Sequence, residues 1–257
     1  MSSFSVVIPT RNRPHFLKEA ISSVLAQSLR PRDIIVVDDG EGAREALKGL
    51  SEEFVVLDNR QHGPVAARNL GVSSSTSDVI AFLDDDDWWT DQKYLEKATC
   101  CFDTGSDFSF GDGKLVFDNG APDLPFSFDA SKTSLERDNT ILISAVCYRR
   151  SLHFTLGAFD ETLPYYWDWD WYLRIARSGA KFAHIAEPVV AIRVHSQNMS
   201  GESLEAERRA NLDLMTQKHR LPPIPLKNHL SLAQEKSRCF SAGPAMAETH
   251  GRGSPES

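Results

Sequence analysis

The sequence is poor in cysteine and has no long apolar run. Its four cysteines, at 100, 101, 147 and 239, form no C-x-x-C pair, so we expect reduced structural thiols and no zinc or redox motif. No window approaches the roughly 18 consecutive apolar residues that a transmembrane helix needs. The start also lacks the basic and apolar segments of a signal peptide. We therefore expect a cytoplasmic protein, with peripheral contact at the inner face of the membrane left open.

An excess of positive charge is also absent. The 257 residues include 28 Lys and Arg against 36 Asp and Glu, which gives a formal charge of −8. Because nucleic-acid binding needs clustered Lys and Arg, we expect no nucleic-acid partner. The sequence shows no internal repeat, and its length fits one large domain or two small ones. Homo-oligomerisation is left open.

Apolar, β-branched segments alternate with amphipathic segments through the first hundred residues. The predicted strands cover 4–10, 33–39, 54–58 and 78–84, and the predicted helices cover 13–28, 41–53, 63–75 and 91–103. This alternation predicts an α/β fold with a Rossmann-like, mainly parallel sheet and helices on both faces.

The second half is less regular. The pattern predicts a hairpin at Asn119-Gly120, strands over 141–151, 181–185 and 189–195, and helices over 168–179 and 203–219. From 219 to 257 the composition predicts an extended or disordered tail. Residues 1–102 and 103–218 are therefore expected to be two halves of one domain.

Polar groups follow three of the predicted parallel strands where each strand ends. Thr10, Arg11 and Asn12 follow the first, Asp38 and Asp39 the second, and the run Asp84 to Asp87 the fourth. Ligands bind beyond the carboxyl ends of such strands, so one site along this edge is expected.

Each of these groups also has a structural alternative. The aspartate run suits Mg²⁺ or Mn²⁺, but a solvated turn or a cap for the next helix would use the same residues. Asp39 could accept hydrogen bonds from a nucleotide or belong to an Asp-Gly turn. Arg68 could hold a phosphate or be a solvated helix residue.

The segment YYWDWDWYLR at 165–174 combines tryptophans with acids. A carboxylate among aromatic rings loses solvation and gains proton affinity, which suits a general base. The alternative makes Asp168 a helix N-cap and the tryptophans core. Three tryptophans in five residues exceed one buried face, so we expect some to face a cleft. Arg193 and His195 end the last predicted strand.

Taken in order, SVVIPTRNRP, DIIVVDDG, GPVAARNLG and DVIAFLDDDDWW resemble the nucleotide-binding half of family 2 inverting glycosyltransferases with the GT-A fold. LGAFDETLPYYWDWDWYLR and VVAIRVHSQNMS resemble their acceptor half. The similarity runs from about Phe4 to Ser200. It implies a single GT-A-type domain with a nucleotide-sugar-binding half at 1–102 and an acceptor-binding, catalytic half at 103–218.

The resemblance also implies roles for individual residues. The nucleotide would contact Pro9, Thr10, Arg11, Asn12, Asp39, Arg68, Asp84 and Asp85. Asp86 and His195 would hold Mn²⁺ or Mg²⁺. The acceptor and sugar would contact Trp88, Trp89, Trp167, Trp169 and Arg193. Asp168 would be the catalytic base, with Asp170 as second choice because Trp167 stands where the family often has Glu.

The implied activity is sugar transfer from a nucleotide-diphosphate sugar, linked to UDP or dTDP, in bacterial polysaccharide or glycoconjugate assembly. The acceptor would be a carbohydrate, a lipid-linked molecule or a small molecule. One alternative is a non-catalytic nucleotide- or sugar-binding relic of the fold. A sugar nucleotidyltransferase is another, although PTRNRPH after the first strand lacks the Gly-rich phosphate loop expected there.

Overall fold

A computed structural model describes residues 2–50, 54–195 and 204–241. The strands are β1 (Phe4–Thr10), β2 (Asp33–Asp38), β3 (Val55–Asp58), β4 (Val79–Phe82), β5 (Trp88–Trp89), β6 (Phe108–Phe117), β7 (Leu124–Phe126), β8 (Val146–Arg149) and β9 (Phe182–Val194). The helices are α1 (Pro14–Leu25), α2 (Ala43–Ala46), α3 (Pro64–Ser74), α4 (Tyr94–Asp103), α5 (Lys132–Leu135), α6 (Arg150–Thr155), α7 (Trp167–Ser178), α8 (Glu205–His219) and α9 (His229–Ser241), with a 3₁₀ turn at Ile143–Ala145.

All described strands belong to one sheet, in the order β3-β2-β1-β4-β8-β6-β9-β5, with β7 beside β6. The first four of that order are parallel, as predicted, so their carboxyl ends meet at one edge. Strand β8 then enters antiparallel to both β4 and β6 and joins the two halves. The α/β prediction is confirmed, and the antiparallel strands lie mainly in the second half.

Helices cover both faces of the sheet. Along β1, Val6 and Ile8 point into the layer that contains α1, α4 and α9, while Val7 points into the layer of α3, α7 and α8. This alternation is the period-two pattern of a strand buried on both sides. No helix of the described residues is long and apolar enough to cross a bilayer.

Two local predictions differ from the structure. Of the described part of the helix expected over 41–53, only α2 is helical, and Gly49, three residues after it, has a positive φ of +86°; residues 51–53 lie outside the described residues. The two closing strands are one strand, β9, which passes a register irregularity opposite Asp112. Pro188 pairs there, and a residue without an N–H is tolerated at such a bulge.

The prediction of an extended or disordered tail from 219 is wrong for residues 229–241, which form α9. Leu232 and Ala233 of this helix are buried in the α1 layer, and the ring of His229 meets Phe126 of β7 edge-on at 5.0 Å. The prolines before residue 229 favoured the prediction of a tail, although a short amphipathic segment follows them. Residues 242–257 lie outside the described residues.

Candidate active site

A cavity of about 560 Å³ lies at the carboxyl ends of β1, β2 and β4 and extends to the start of α7. Of the residues predicted from sequence, it is lined by Pro9, Thr10, Arg11, Asp39, Arg68, Asp84, Asp85, Asp86, Trp167, Asp168 and Trp169. The parallel register brings the strand ends together, and the antiparallel strand β8 lets the second half fold back over them. Asn12, Trp88, Trp89, Asp170, Arg193 and His195 do not line it.

The two aspartates after β2 have different surroundings. Asp38 accepts hydrogen bonds from the backbone N–H groups of Gly40 and Ala43, both at 3.0 Å, and so forms the turn before α2. Asp39 lines the cavity. Its Oδ1 accepts from Asn59 at 2.6 Å, and its Oδ2 lies 3.9 Å from the guanidinium of Arg11. Asp38 is therefore the turn residue of this Asp-Asp-Gly segment, and Asp39 is the acid that faces the cavity.

Asn12, predicted to contact nucleotide, holds two loops together. Its Oδ1 accepts the backbone N–H of Glu41 at 2.9 Å, and its own φ is +55°. A Cβ at Gly40 would lie 2.3 Å from that same oxygen, so only glycine permits this approach. Asn12 thus positions the loop after β1 from outside the cavity.

Two acids of the aspartate run are fixed in the interior. Asp85 accepts a hydrogen bond from Thr10 Oγ1 at 2.7 Å, and Asp87 accepts from Ser144 Oγ at 2.6 Å and the backbone N–H of Arg193 at 3.1 Å. Burial, together with the charge of Asp86, raises the pKa of Asp85 to about 6 and that of Asp87 well above its usual value.

The other two acids are half-buried and paired with cations. Arg68 donates a short hydrogen bond to Asp84 through Nη2. Asp86 Oδ2 lies 2.6 Å from Nη1 of Arg13 and 3.0 Å from Nε2 of His195. Sequence reasoning missed Arg13, although its place between a strand end and Pro14 was a usable signal.

Three carboxylates of the run could hold a metal ion together. One oxygen each of Asp84, Asp86 and Asp87 lies within 4.8 Å of the others. Hard carboxylate oxygens suit Mg²⁺ or Mn²⁺. Because negative neighbours help raise the pKa of Asp87, a divalent cation would relieve their repulsion. The cluster fits such an ion and includes Asp86, one of the two predicted ligands; the other, His195, lies 3.0 Å from Asp86 through its Nε2.

Asp168, at the start of α7, lines the cavity opposite the strand ends. Its Oδ2 accepts a hydrogen bond from Nδ2 of Asn139 at 2.9 Å. Burial raises the pKa of Asp168, and the bonds from Asn139 and from the backbone N–H of Trp169, with the charge of Arg68, offset part of that rise. A half-buried carboxylate with raised proton affinity is suited to accept a proton.

Asp170 lies on the other side of α7 and is fully buried. Its oxygens lie 2.9 Å from Nε of Arg174, 2.7 Å from Nζ of Lys218 and 2.8 Å from Nε2 of His219. Burial acts to raise the pKa of Asp170, but these partners outweigh it and lower the pKa. The second choice for the base is thus a structural ion-pair centre outside the cavity.

Trp88, Trp89 and Arg193 lie outside the cavity, contrary to the predicted acceptor platform. Trp89 is buried and donates its indole N–H to the carbonyl of Ser144 at 2.8 Å. The guanidinium of Arg193 lies 4.7 Å from the ring of Trp88. The backbone N–H of Arg193 donates a hydrogen bond to Asp87, so Arg193 joins β9 to the aspartate run.

Trp167 and Trp169 of α7 line the cavity, as the sequence predicted for some of these tryptophans, although they are only 7% and 3% exposed. Trp171 is fully buried, because α7 packs against both the sheet and its neighbouring helices. The guanidinium of Arg68 covers the ring of Trp167 at 4.5 Å. The half-buried residues Tyr165 and Tyr166, which were not among the predicted site residues, also line the cavity.

Sequence reasoning also missed a third wall of the cavity. It comprises Asp138, Asn139, Arg208, Pro225, Lys227, Asn228, His229 and Leu232. Several of these follow residue 219, where composition had predicted a tail. Only the packing of α9 onto the sheet brings them to the site.

Two solved structures with a similar fold contain a nucleotide sugar. S. aureus TarS 1-349 in complex with UDP-GlcNAc superposes with a TM-score of 0.65 at 18% identity, covering 83% of this chain and 65% of that one. The mannosyltransferase PcManGT from Pyrobaculum calidifontis, in complex with GDP-Man and Mn²⁺, gives 0.62 at 16% identity, covering 95% and 76%. This chain spans less than two thirds of the solved TarS chains, and 39% of the longest. The fold is that of the GT-A glycosyltransferases.

Sequence relatives refine this class to a family. Residues 5–148 match the profile of Glycosyl transferase family 2. The uncharacterized glycosyltransferase YwdF of Bacillus subtilis is 34% identical over 242 residues, which are 90% of this chain and 89% of that protein. The chain therefore belongs to glycosyltransferase family 2.

Proposed function

We propose that this chain is an inverting, metal-dependent glycosyltransferase that moves a sugar from a UDP- or dTDP-linked donor to an acceptor hydroxyl. The observation that carries the proposal is that one cavity contains both a candidate metal site and a candidate base. Asp84, Asp86 and Asp87 form a carboxylate cluster that could bind a cation at the strand ends, and Asp168, with its raised pKa, lies on the opposite wall.

The nucleotide would bind along the ends of β1 and β2. Asp39 Oδ2 is an acceptor suited to the N3–H of uracil or thymine, while Pro9, Thr10 and Arg11 line the same part of the cavity. The fold neighbours were solved with UDP-GlcNAc and with GDP-Man and Mn²⁺. These structures support a nucleotide-sugar donor, and the identity of its nucleobase is to be measured.

The diphosphate would lie over the aspartate cluster. A Mn²⁺ or Mg²⁺ ion held by Asp84, Asp86 and Asp87 would supply positive charge that offsets the charge on the leaving diphosphate. Arg13 and Arg68 place two fixed guanidinium groups beside the same acids. Preorganised charge of this kind stabilises the transition state without reorganisation during the reaction.

Asp168 would accept the proton of the acceptor hydroxyl as its oxygen attacks the anomeric carbon. The new C–O bond forms on the face opposite the diphosphate, the bond to the diphosphate oxygen breaks, and the configuration inverts. Asn139 holds the carboxylate in place through the 2.9 Å hydrogen bond. We propose cytoplasmic polysaccharide or glycoconjugate assembly as the setting.

Calorimetric titration tests the donor site first. UDP, dTDP, GDP and CMP are titrated with and without Mn²⁺ into wild type, Asp86→Ala and the control Asp123→Ala, which removes an exposed acid of the β6–β7 hairpin. We expect Mn²⁺-dependent binding of UDP or dTDP, lost only in Asp86→Ala. If no nucleotide binds wild type, the proposed function is wrong. Binding without transfer to any acceptor would indicate the non-catalytic relic.

A further inference from the structure

The cavity extends beyond Asp168 to a region that we call the acceptor end. It is formed by Asp138, Tyr165, Tyr166, Arg208, Lys227 and His229. The two tyrosines lie just before α7, and Tyr166 holds a left-handed φ of +60°. Such a conformation is uncommon for a bulky residue and is found at sites where a side chain must be directed.

Arg208 is the most deeply buried cation of this end. Although it lines the cavity, the residue is only 6% exposed, and its Nη2 donates to the carbonyl of Lys227 at 2.9 Å. A buried guanidinium has lost much of its hydration, and its planar set of donors matches phosphate and carboxylate oxygens. It is therefore a strong anion ligand for anything that enters this end.

The positive charge of Arg208 reaches its cavity neighbours. Burial, and then the charge of Arg208, lowers the pKa of His229 to about 4. The same charge acts to lower the pKa of Tyr165 and Tyr166 against the effect of burial. The Lys227 ammonium is balanced by Asp138 at 3.3 Å and Glu235 at 2.8 Å. The charge of Arg208 thus acts on three side chains of the acceptor end.

We propose that Arg208 binds an oxyanion, a phosphate or carboxylate, carried by the acceptor. The acceptor is then an anionic sugar or a phosphorylated molecule whose hydroxyl points towards Asp168, with Tyr165 and Tyr166 against its ring. This inference rests on the proposed function, since it presupposes that this end receives the acceptor.

A purely structural role is the competing explanation for Arg208, and the chain offers a matched control. Arg209, its neighbour on α8, donates to the carbonyl of Ile224 at 3.0 Å and to Asp213 at 2.7 Å. Both arginines thus tie α8 to the segment before α9. Only Arg208 lines the cavity.

The test measures ligand binding to protein already saturated with Mn²⁺ and UDP, so that the donor end is filled. Glucose 1-phosphate, glucuronate and neutral methyl glucoside are titrated by calorimetry into wild type, Arg208→Gln and Arg209→Gln. We expect at least one anionic ligand to bind wild type more tightly than methyl glucoside. Arg208→Gln should remove about 10- to 100-fold of that affinity, as for a lost charge-assisted hydrogen bond, and Arg209→Gln should not. The two anionic arms distinguish phosphate from carboxylate.

Two further readouts keep the result decisive. UDP affinity should be equal in all three proteins, so a loss there reports the proposed function and not the acceptor end. Should Arg208→Gln fail to fold, Arg208→Lys takes its place: it keeps the positive charge but removes the planar set of donors, so we expect it to weaken the anionic ligand and to leave methyl glucoside binding unchanged. Equal binding of charged and neutral ligands, or equal losses in the two variants, would overturn the proposal.

Discussion

The acids after β4 and the acids of α7 differ in whether the cavity-lining acids have cationic partners. In the run Asp84 to Asp87, three cavity-lining acids lie beside guanidinium groups, Asp84 beside Arg68 and both Asp85 and Asp86 beside Arg13. On α7 the ion pairs belong to the buried acid, Asp170, whereas cavity-lining Asp168 accepts a hydrogen bond from the neutral amide of Asn139. The acids at the strand ends therefore pair directly with cations in the cavity wall, and Asp168 does not.

The difference separates two kinds of chemistry. Guanidinium groups beside Asp84 and Asp86 add fixed positive charge where a metal and a diphosphate would bind. Burial raises the pKa of Asp168, although the hydrogen bond from Asn139 offsets part of that rise, and a raised pKa suits a group that takes up a proton. The substitutions below test this division in decreasing order of expected effect.

Asp168→Asn should reduce sugar transfer by about 10²- to 10⁴-fold, since general-base assistance is worth that much. UDP affinity in the presence of Mn²⁺ should stay at the wild-type value, because the substitution does not touch the strand ends. Single-turnover kinetics and calorimetry measure the two quantities. Unchanged transfer would show that the base lies elsewhere.

Asp170→Asn should reduce the stability of the fold and leave sugar transfer by the folded protein unchanged. It leaves Arg174, Lys218 and His219 around a fully buried amide without the negative charge, so we expect a loss of about 3–5 kcal/mol in the free energy of unfolding. The pKa of Asp170 is lowered in the folded state, so its stabilisation is present above the unfolded pKa and is lost as pH falls. Urea unfolding at neutral and acid pH measures both effects.

The control for this prediction is Asp213→Asn, which alters an exposed pair with Arg209 on α8. An exposed pair contributes roughly 0–1 kcal/mol, so this variant should unfold close to wild type. Activity per folded molecule should survive in both. Loss of transfer in a folded Asp170→Asn protein would contradict a structural role.

Asn139→Ala should move the pH dependence of transfer. The hydrogen bond from Asn139 lowers the pKa of Asp168, so its removal raises that pKa further. The base acts when deprotonated, so the fall in rate at acid pH should shift to higher pH. Thr140→Val is the neighbouring control, since Thr140 Oγ1 has no hydrogen-bond partner in the described residues. Identical profiles for wild type and Asn139→Ala would refute this coupling.

Trp88→Leu should have the smallest effect. It removes a cation–π contact with Arg193, worth about 0.5–1 kcal/mol of stability, and should leave the KM for acceptor unchanged. Tyr165→Ala, inside the cavity, should raise that KM. A large increase in the KM for acceptor in Trp88→Leu would support the acceptor contact that the sequence predicted for Trp88.

The sequence carried enough signal for the parallel half and for the acids that line the cavity. Hydrophobic alternation located β1, β2 and β4, and strand-end logic placed Asp39 and Asp86 at one edge. It could not separate Asp168 from Asp170 by spacing, because one helix turn directs neighbouring acids to different surroundings. The resemblance to a known family favoured Asp168, and the two environments favour it independently.

The parts that were missed depend on contacts between distant segments. Asn139 meets Asp168 across 29 positions, and Arg13 meets Asp86 across 73. Local pattern has no information on such pairs. Composition also misled at α9, because prolines before a helix resemble those of a tail.

Sequence alone predicts the α/β alternation, the run of acids at a strand end and the acid–aromatic segment, because each is a local pattern of side-chain chemistry. Tertiary contacts are needed to show which acids are buried and which cations pair with them. They are also needed to show that Arg208 lines the cavity. The physical reason is that ionisation depends on burial and on charges a few ångströms away, and both are set by packing.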